Sequence, residues 1–296
     1  MAYTSGDNIL DDHYNDFATS VNTLWGSGSG MDGYGNSTVV AAVDTSTTVQ
    51  ATQWTTLLAR ISSMASHQNT SITAITDPSA GDTISAFTAL AANITAIDNA
   101  KLNVHARQSA SNTNRDNTST LTGSITFTHT WTWGSANQAR YFFNLGGRLS
   151  ISGSQSGHGS DSKGNEWANL LSQAGTYFIN ANSSGKSGGS GSANTNNTSL
   201  GYHQLTSSYQ TAFKQFEDTG PYTASFVEWQ IKNASSGAQI AASCVWNDAA
   251  GDSTSFNKSI YNVQDQVEGT HRMTYGFEKH NTTHIADNGG SITLGT

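Results

Sequence analysis

In the N-terminal third of the chain, hydrophobic positions recur at helical spacing. Leu10, Tyr14, Phe17, Val21 and Leu24 alternate steps of four and three residues, the stripe of an amphipathic helix over residues 5–25, with Ser5 or Asp7 as candidate caps. A glycine-rich connector (26–37) and a short β-like run (38–43) follow. Trp54, Leu57, Ile61 and Met64 then form a second stripe, over about residues 53–68, with Thr52 as its candidate cap. The two stripes superpose at an offset of 40 residues, matching Ile9 with Val49, Tyr14 with Trp54, Phe17 with Leu57, Val21 with Ile61 and Leu24 with Met64. A third copy opens at Gly81-Asp82-Thr83-Ile84, echoing Gly6-Asp7-Asn8-Ile9, and continues through Phe87, Leu90, Ile94 and Ile97. The pattern predicts a small helical module.

Residues 103–122 are polar and aperiodic, as in a linker, and from Gly123 the period changes to two. Ile125, Phe127, His129, Trp131 and Trp133 alternate with Thr126, Thr128, Thr130 and Thr132, which predicts a half-buried strand with a threonine ladder on its outer face. Ala139, Tyr141, Phe143, Leu145, Leu149 and Ile151 keep odd parity through Gly146-Gly147, against Arg140, Asn144, Arg148, Ser150 and Ser152. This parity predicts either two strands joined by a tight glycine turn or one long strand bent there. Trp167, Leu170, Leu171 and Ala174 then recur at helical spacing, Gly175 is placed as the stop, and a strand follows over Thr176 to Ile179. Residues 182–198 read as a low-complexity surface loop.

Further β segments are expected at Tyr202 to Phe216, in a hairpin of Phe226 to Lys232 with Gln239 to Asn247, at Ile260 to Val263 and at Arg272 to Glu278. The expected class is α+β: a helical docking or oligomerisation module at 1–102, a linker at 103–122 and a mainly antiparallel β-sandwich at 123–296. The unit 138–181 is expected to be the framework of the sandwich, with Gly146, Gly147, Trp167 and Gly175 as its structural residues.

Composition narrows the function classes. Charged residues make up 11% of the 296 positions, against roughly 25% in ordinary globular proteins. Ser, Thr, Asn and Gly take their place, which suits an extracellular or virion surface. The formal charge of -8, with 13 scattered Lys and Arg, argues against a nucleic-acid partner. No run of about 18 apolar residues marks a membrane span, so no membrane insertion is expected. The start MAYTSGDNILDD lacks the basic and apolar regions of a secretion signal, which fits assembly in a host cytoplasm. Cys244 is the single cysteine and is expected to be a buried thiol.

Candidate chemistry is sparse. No phosphate-binding glycine loop, nucleophile elbow, zinc HExxH or CxxC pair occurs. His280 and His284 lie four apart in a loop-like segment and are expected to be exposed polar residues rather than metal ligands. Asp248 and Asp252 flank a glycine, as oxygen ligands of a calcium loop would, but the EF-hand spacing is missing and an ordinary turn is favoured. The acid pairs Glu217-Asp218 and Asp265 with Glu268 could in principle serve glycoside hydrolysis; the solvated-surface reading is favoured. Trp131, Trp133, Trp229 and Trp246 are expected in the core rather than stacked on sugar rings. No catalytic, cofactor or metal residue is assigned.

The stretch ARYFFNLGGRLSIS followed by EWANLLSQAGT resembles a segment of a family of bacteriophage virion structural proteins, which includes tail, neck and fibre components. GDNILDDHYNDFATSVNTLWGSGSGMDGYG, VQATQWTTLLARISSMASHQ and GPYTASFVEWQIKNASSGAQIAASCVWND are similar in the same order, and together the matches cover most of the chain. The resemblance implies a place in a virion among other virion structural proteins, without enzymatic activity or cofactor. Two alternatives are an adhesin that recognises a host-surface glycan and a tailspike-like glycan hydrolase. The stripes Tyr14-Phe17-Val21-Leu24 and Trp54-Leu57-Ile61-Met64 each span about two heptads, too short for an isolated coil, so they must be covered by tertiary or subunit contacts. Fibrous phage appendages favour the second, which makes a homotrimer with these stripes near its axis the expected assembly.

Overall fold

The computed structural model describes residues 11–44, 49–79, 87–158, 162–218, 222–249 and 267–295. Its elements are N-terminal helices followed by antiparallel sheets, an α+β fold. Contacts divide the chain into two units, the first drawn from residues 1–109, 140–147 and 279–290, the second from 110–139, 148–278 and 291–296.

In the first unit, helices α1 (Asp11–Trp25), α2 (Ala51–Gln68) and α3 (Phe87–Asn99) pack pairwise on one another. Tyr14, Val21 and Leu24 of α1 and Trp54, Leu57, Ile61 and Met64 of α2 are all buried in one core with Leu90 and Ile97 of α3, completed by Leu145 and Ile285. Tyr14 and Trp54, matched by the 40-residue offset, meet edge to face at 5.3 Å, and the partly buried Phe17 packs on Phe87 at 4.6 Å. Both stripes are thus covered from within the chain. Gln50, not Thr52, caps α2, and its N–H donates to Gln53 Oε1 at 2.7 Å. The candidate caps Ser5 and Asp7 and the Gly81–Ile84 opening of the third copy lie outside the described residues.

Among the described residues the run 38–43 pairs with no strand; it lies extended along α1 and is held by asparagine side chains. Asn22 donates to Val40 O and accepts from Val40 N–H, both at 2.8 Å, and Asn15 does the same for Val43 at 2.8 and 2.9 Å. Seven helical residues and three extended ones both advance about 10 Å, so the two amides stay in register with the segment. Asn93 of α3 grips Thr73 identically, with both bonds at 2.8 Å. Asn93→Ala leaves a backbone N–H and a C=O without partners and is expected to cost about 2–3 kcal/mol. Urea unfolding reads this out; a midpoint within error of wild type would show that water replaces the amide.

Residues 138–145 are not strand. Helix α4 (Ala136–Asn144) starts at Ser135, whose Oγ accepts from Gln138 N–H at 3.2 Å. It ends in a Schellman turn: Gly146, at φ +84°, donates to Phe143 O and Gly147 to Phe142 O, both at 2.9 Å. The odd parity of Ala139, Tyr141 and Phe143 is accidental, because the buried set is Ala139, Phe142 and Phe143. One turn apart on α4, Arg140 and Asn144 order the glycine-rich connector. Asn144, fully buried, donates to Gly30 O, Asp32 O and Gly33 O at 3.2, 3.0 and 3.1 Å, and Arg140 donates to Ser27 O and Asp32 O.

The second unit holds two antiparallel sheets. One orders β1 (Ser111–Asn117), β10 (Thr270–Glu278), β3 (Arg148–Ser156), β4 (Thr176–Ile179) and β5 (Ser184–Ser187). The other orders β11 (Ile292–Gly295), β2 (Ser124–Trp133), β9 (Gln239–Asn247), β8 (Phe226–Ala234), β7 (Gln210–Phe216) and β6 (Thr195–Asn196). Strand β1 therefore occupies part of the expected linker, and β5 and β6 part of the expected loop. Ile260 to Val263 lie outside the described residues.

The sheets meet through their inner faces. His129 of β2 stacks on Tyr275 of β10 at 4.3 Å, Trp131 Nε1 donates to Gly276 O at 3.1 Å, and Trp246 Nε1 to Met273 Sδ at 3.2 Å. Helix α5 (Ser162–Ala174) packs on β3 and reaches into this core. Its buried Trp167 stacks on Trp246 at 5.7 Å, and Gly153 of β3 leaves room for Leu171, whose Cδ2 would lie 2.7 Å from a Cβ there. Gly175, at φ +65°, follows the last residue of α5.

Candidate functional site

Four ionisable side chains of the second unit gather where β7 and β9 end beside α5. Lys163 and Glu166 stand one turn apart on α5; Glu217 directly follows β7, and Asp248 directly follows β9. Lys163 Nζ lies 2.7 Å from Asp248 Oδ2, and both side chains are 0% exposed. Burying such a pair costs several kcal/mol of hydration per ion, which only close contact and further hydrogen bonds offset. Ser225 Oγ donates to Asp248 Oδ1 at 3.3 Å, Asp248 N–H donates to Gly123 O at 2.6 Å, and the Tyr222 ring lies 6.0 Å from Nζ.

Ser225 also joins the second half of the cluster, because its carbonyl accepts from Glu217 N–H at 3.0 Å. Glu217 is 4% exposed, and its carboxyl is hydrogen-bonded to that of Glu166. Burial, then the shared hydrogen bond and the charge of Glu166, push the Glu217 carboxyl up to about 8, against a smaller opposing effect of the Asp218 N–H, 3.3 Å from Oε1. Asp218 itself accepts from Gln173 Nε2 at 3.5 Å.

The proton on Glu217 makes stability depend on pH. Its folded value of about 8 lies above the ordinary 4.5, so between these the native state holds a proton that the unfolded chain has released. The contribution is complete below pH 4.5 and falls as pH rises towards about 8, by at most about 1.4 kcal/mol per pH unit. Glu217→Gln keeps the shape and removes the titration. Its urea midpoint is expected to fall less than that of wild type between the two pH limits; parallel falls would refute the protonated pair.

Three expectations are corrected here. Glu217 is buried rather than solvated, and its carboxyl partner is Glu166 rather than Asp218. Asp248 is buried against an ammonium, neither an exposed turn residue nor open to a cation; Asp252 and Asp265 lie outside the described residues. His280 is 1% exposed, not a loop surface residue. The four tryptophans Trp131, Trp133, Trp229 and Trp246 are core residues, and the buried Cys244 thiol is pushed up to about 12 by burial. Lys163 and Glu166 escaped sequence reading, although Lys163 stands four residues before Trp167 on the apolar stripe of α5, an unusual place for a cation.

The first unit carries a second cluster. The rings of His67 and His280, both buried, meet edge to face at 5.3 Å, and His280 Nε2 lies 3.2 Å from Ile285 O. Burial, with a further push from His280, holds His67 down at about 3, so it is neutral at physiological pH. A cavity of about 200 Å³ opens above it, lined by His67, His105, Ala106, Asn281, Thr283 and His284. Among the described residues no three His, Cys, Asp or Glu are arranged to hold a metal ion, and no helix is long and apolar enough to cross a membrane. No family model, no curated protein and no solved structure matches the chain.

Proposed function

We propose that this chain is a non-enzymatic structural subunit of a bacteriophage virion, a tail or neck appendage that assembles with other virion structural proteins. The observation that supports this reading is the division of its polar groups. Stretches of the outward sheet faces carry uncharged polar side chains, such as Thr126 and Thr128 on β2 and Asn112 and Asn114 on β1, where Thr274 Oγ1 donates to Asn114 Oδ1 at 2.9 Å before the exposed Asp116–Arg272 pair continues the row. The ionisable cluster, by contrast, is used inside the fold. Such faces suit a durable particle surface, since hydroxyl and amide ladders satisfy one another without the salt sensitivity of exposed charge.

A hydrolase is the weaker reading. Glycoside hydrolysis needs two carboxyls roughly 5–10 Å apart on either side of the bond to be cut. The carboxyls of Glu166 and Glu217 are instead hydrogen-bonded to each other. A host-surface glycan is a second reading on one observation, the histidine, asparagine and threonine side chains that line the cavity. As for stoichiometry, the proposed homotrimer rests on the resemblance, because the helical stripes are already covered within the first unit.

Peptide mass spectrometry of purified particles tests the proposal: the chain is expected at a stoichiometry comparable to other virion components and accessible to antibody on intact particles. Its absence from particles, with recovery only in the soluble lysate, would overturn the reading. So would release of reducing ends from host polysaccharide that Glu217→Gln abolishes.

A further inference from the structure

A fully buried lysine facing a fully buried aspartate, beside a carboxyl that keeps its proton, is a set of reactants as well as an ion pair. We propose that Lys163 and Asp248 condense into an intramolecular isopeptide bond inside the folded second unit, with the Glu166–Glu217 carboxyl pair relaying the proton. Three observations converge on it. The amine nitrogen and the carboxylate oxygen are already 2.7 Å apart, with neither side chain exposed. Such approach raises the effective concentration of an intramolecular nucleophile by many orders of magnitude. Ser225 anchors both halves of the cluster, its backbone carbonyl accepting from the Glu217 N–H and its Oγ donating to Asp248 Oδ1. Glu166, the hydrogen-bonded partner of Glu217, stands one turn from Lys163 on the same helix.

The step balances within these residues. A proton passes from the ammonium to the aspartate carboxylate, converting a charged pair into a neutral amine and a neutral acid, a change that exclusion of water favours. The Nζ lone pair then attacks Cγ, and the carbonyl π electrons move onto oxygen. In the tetrahedral intermediate a second nitrogen proton is taken by the carboxyl pair, which delivers one to the departing hydroxyl. The N–Cγ bond forms, one Cγ–O bond breaks, and one water leaves. No oxidant, metal or co-reactant is consumed, and the carboxyl pair ends as it began. The product amide is neutral, so the hydration cost of the buried pair disappears with the charges.

The bond would tie α5 covalently to the end of β9, so that the helix stacked on Trp246 could not leave the core without an amide being cut. Intact-mass measurement on the purified full chain reads the outcome. Wild type is expected to be lighter than its sequence by one water, and a tryptic digest to contain a branched peptide joining Lys163 to Asp248. Lys163→Met and Asp248→Ala should each restore the sequence mass and migrate differently from wild type on a denaturing gel. Glu217→Gln retains both reactants and is expected to restore the sequence mass as well. A wild-type mass equal to the sequence, unchanged after prolonged incubation at neutral pH, would overturn the bond. A water loss that persists in Lys163→Met would overturn its assignment to this pair, and one that persists in Glu217→Gln would overturn Glu217 as the proton carrier.

Discussion

Gly147→Val is expected to destabilise the first unit by roughly 2–5 kcal/mol, the sum of steric overlap and a broken helix terminus. A Cβ at position 147 would lie 2.6 Å from the carbonyl oxygen of Phe142 and 2.6 Å from its ring. That carbonyl accepts the Gly147 N–H at 2.9 Å, so it cannot retreat without opening the Schellman turn. The turn in turn places Leu145, which the helical core buries completely. Gly146→Val should be at least as damaging, because position 146 sits at φ +84° and its Cβ would collide with the side chain of Val104. Chemical unfolding of both variants and of Gly147→Ala is the measurement. If Gly147→Val unfolds at the wild-type midpoint, the close approach does not constrain this turn.

Trp246→Ala is expected to cost about 3–5 kcal/mol, the usual range for truncating a buried aromatic. Trp246 is 0% exposed and stands where the two sheets and α5 converge. It stacks on Trp167 at 5.7 Å, lies 5.6 Å from Phe127 and 5.5 Å from His271, and donates its indole N–H to Met273 Sδ at 3.2 Å. Alanine would open a cavity that the sheets cannot close, because both are fixed by their ladders, whereas phenylalanine should lose less. For a unit of this size the loss corresponds to a melting temperature lower by roughly 10 °C, with the near-ultraviolet circular dichroism of the stacked indoles gone. A variant melting within about 2 °C of wild type would show that α5 packs independently of this contact.

The reliability of sequence reading followed the number of constraints behind each pattern. The stripes of α1 and α2 were legible because tyrosine, tryptophan and leucine at steps of three and four admit one periodicity, and burial at Tyr14, Val21, Trp54 and Ile61 agrees. The alternation of Phe127, His129 and Trp131 with threonines was equally unambiguous. Residues 139–145 failed because Ala139 and Phe143, four apart, fit both periods at once; the local signals, Ser135 with Gln138 at one end and Gly146 at the other, outweighed parity. Phe142, apolar at an even position, was the residue that contradicted the strand. Strand β1, SNTNRDN, was invisible because its pairing is polar: Asp116 accepts from Arg272 at 2.7 Å in place of a hydrophobic pattern. The ionisable cluster was hidden for a different reason. Lys163, Glu217 and Asp248 are far apart in sequence and ordinary in context, so only the folded chain brings them together.

The first unit is assembled from three separated stretches of chain, and this dictates an order of events during synthesis. Residues 11–99 can form α1, α2 and α3 as soon as they leave the ribosome, but Leu145 and Ile285, which complete their core, are made much later. Every described strand of the second unit except β11 is translated before Ile285 emerges. A nascent helical module must therefore wait with part of its apolar surface uncovered while the sheets are being made. Premature termination anywhere before residue 279 would release a chain whose first unit is unfinished, a natural substrate for proteolytic quality control. Only full-length copies would then persist in the cell.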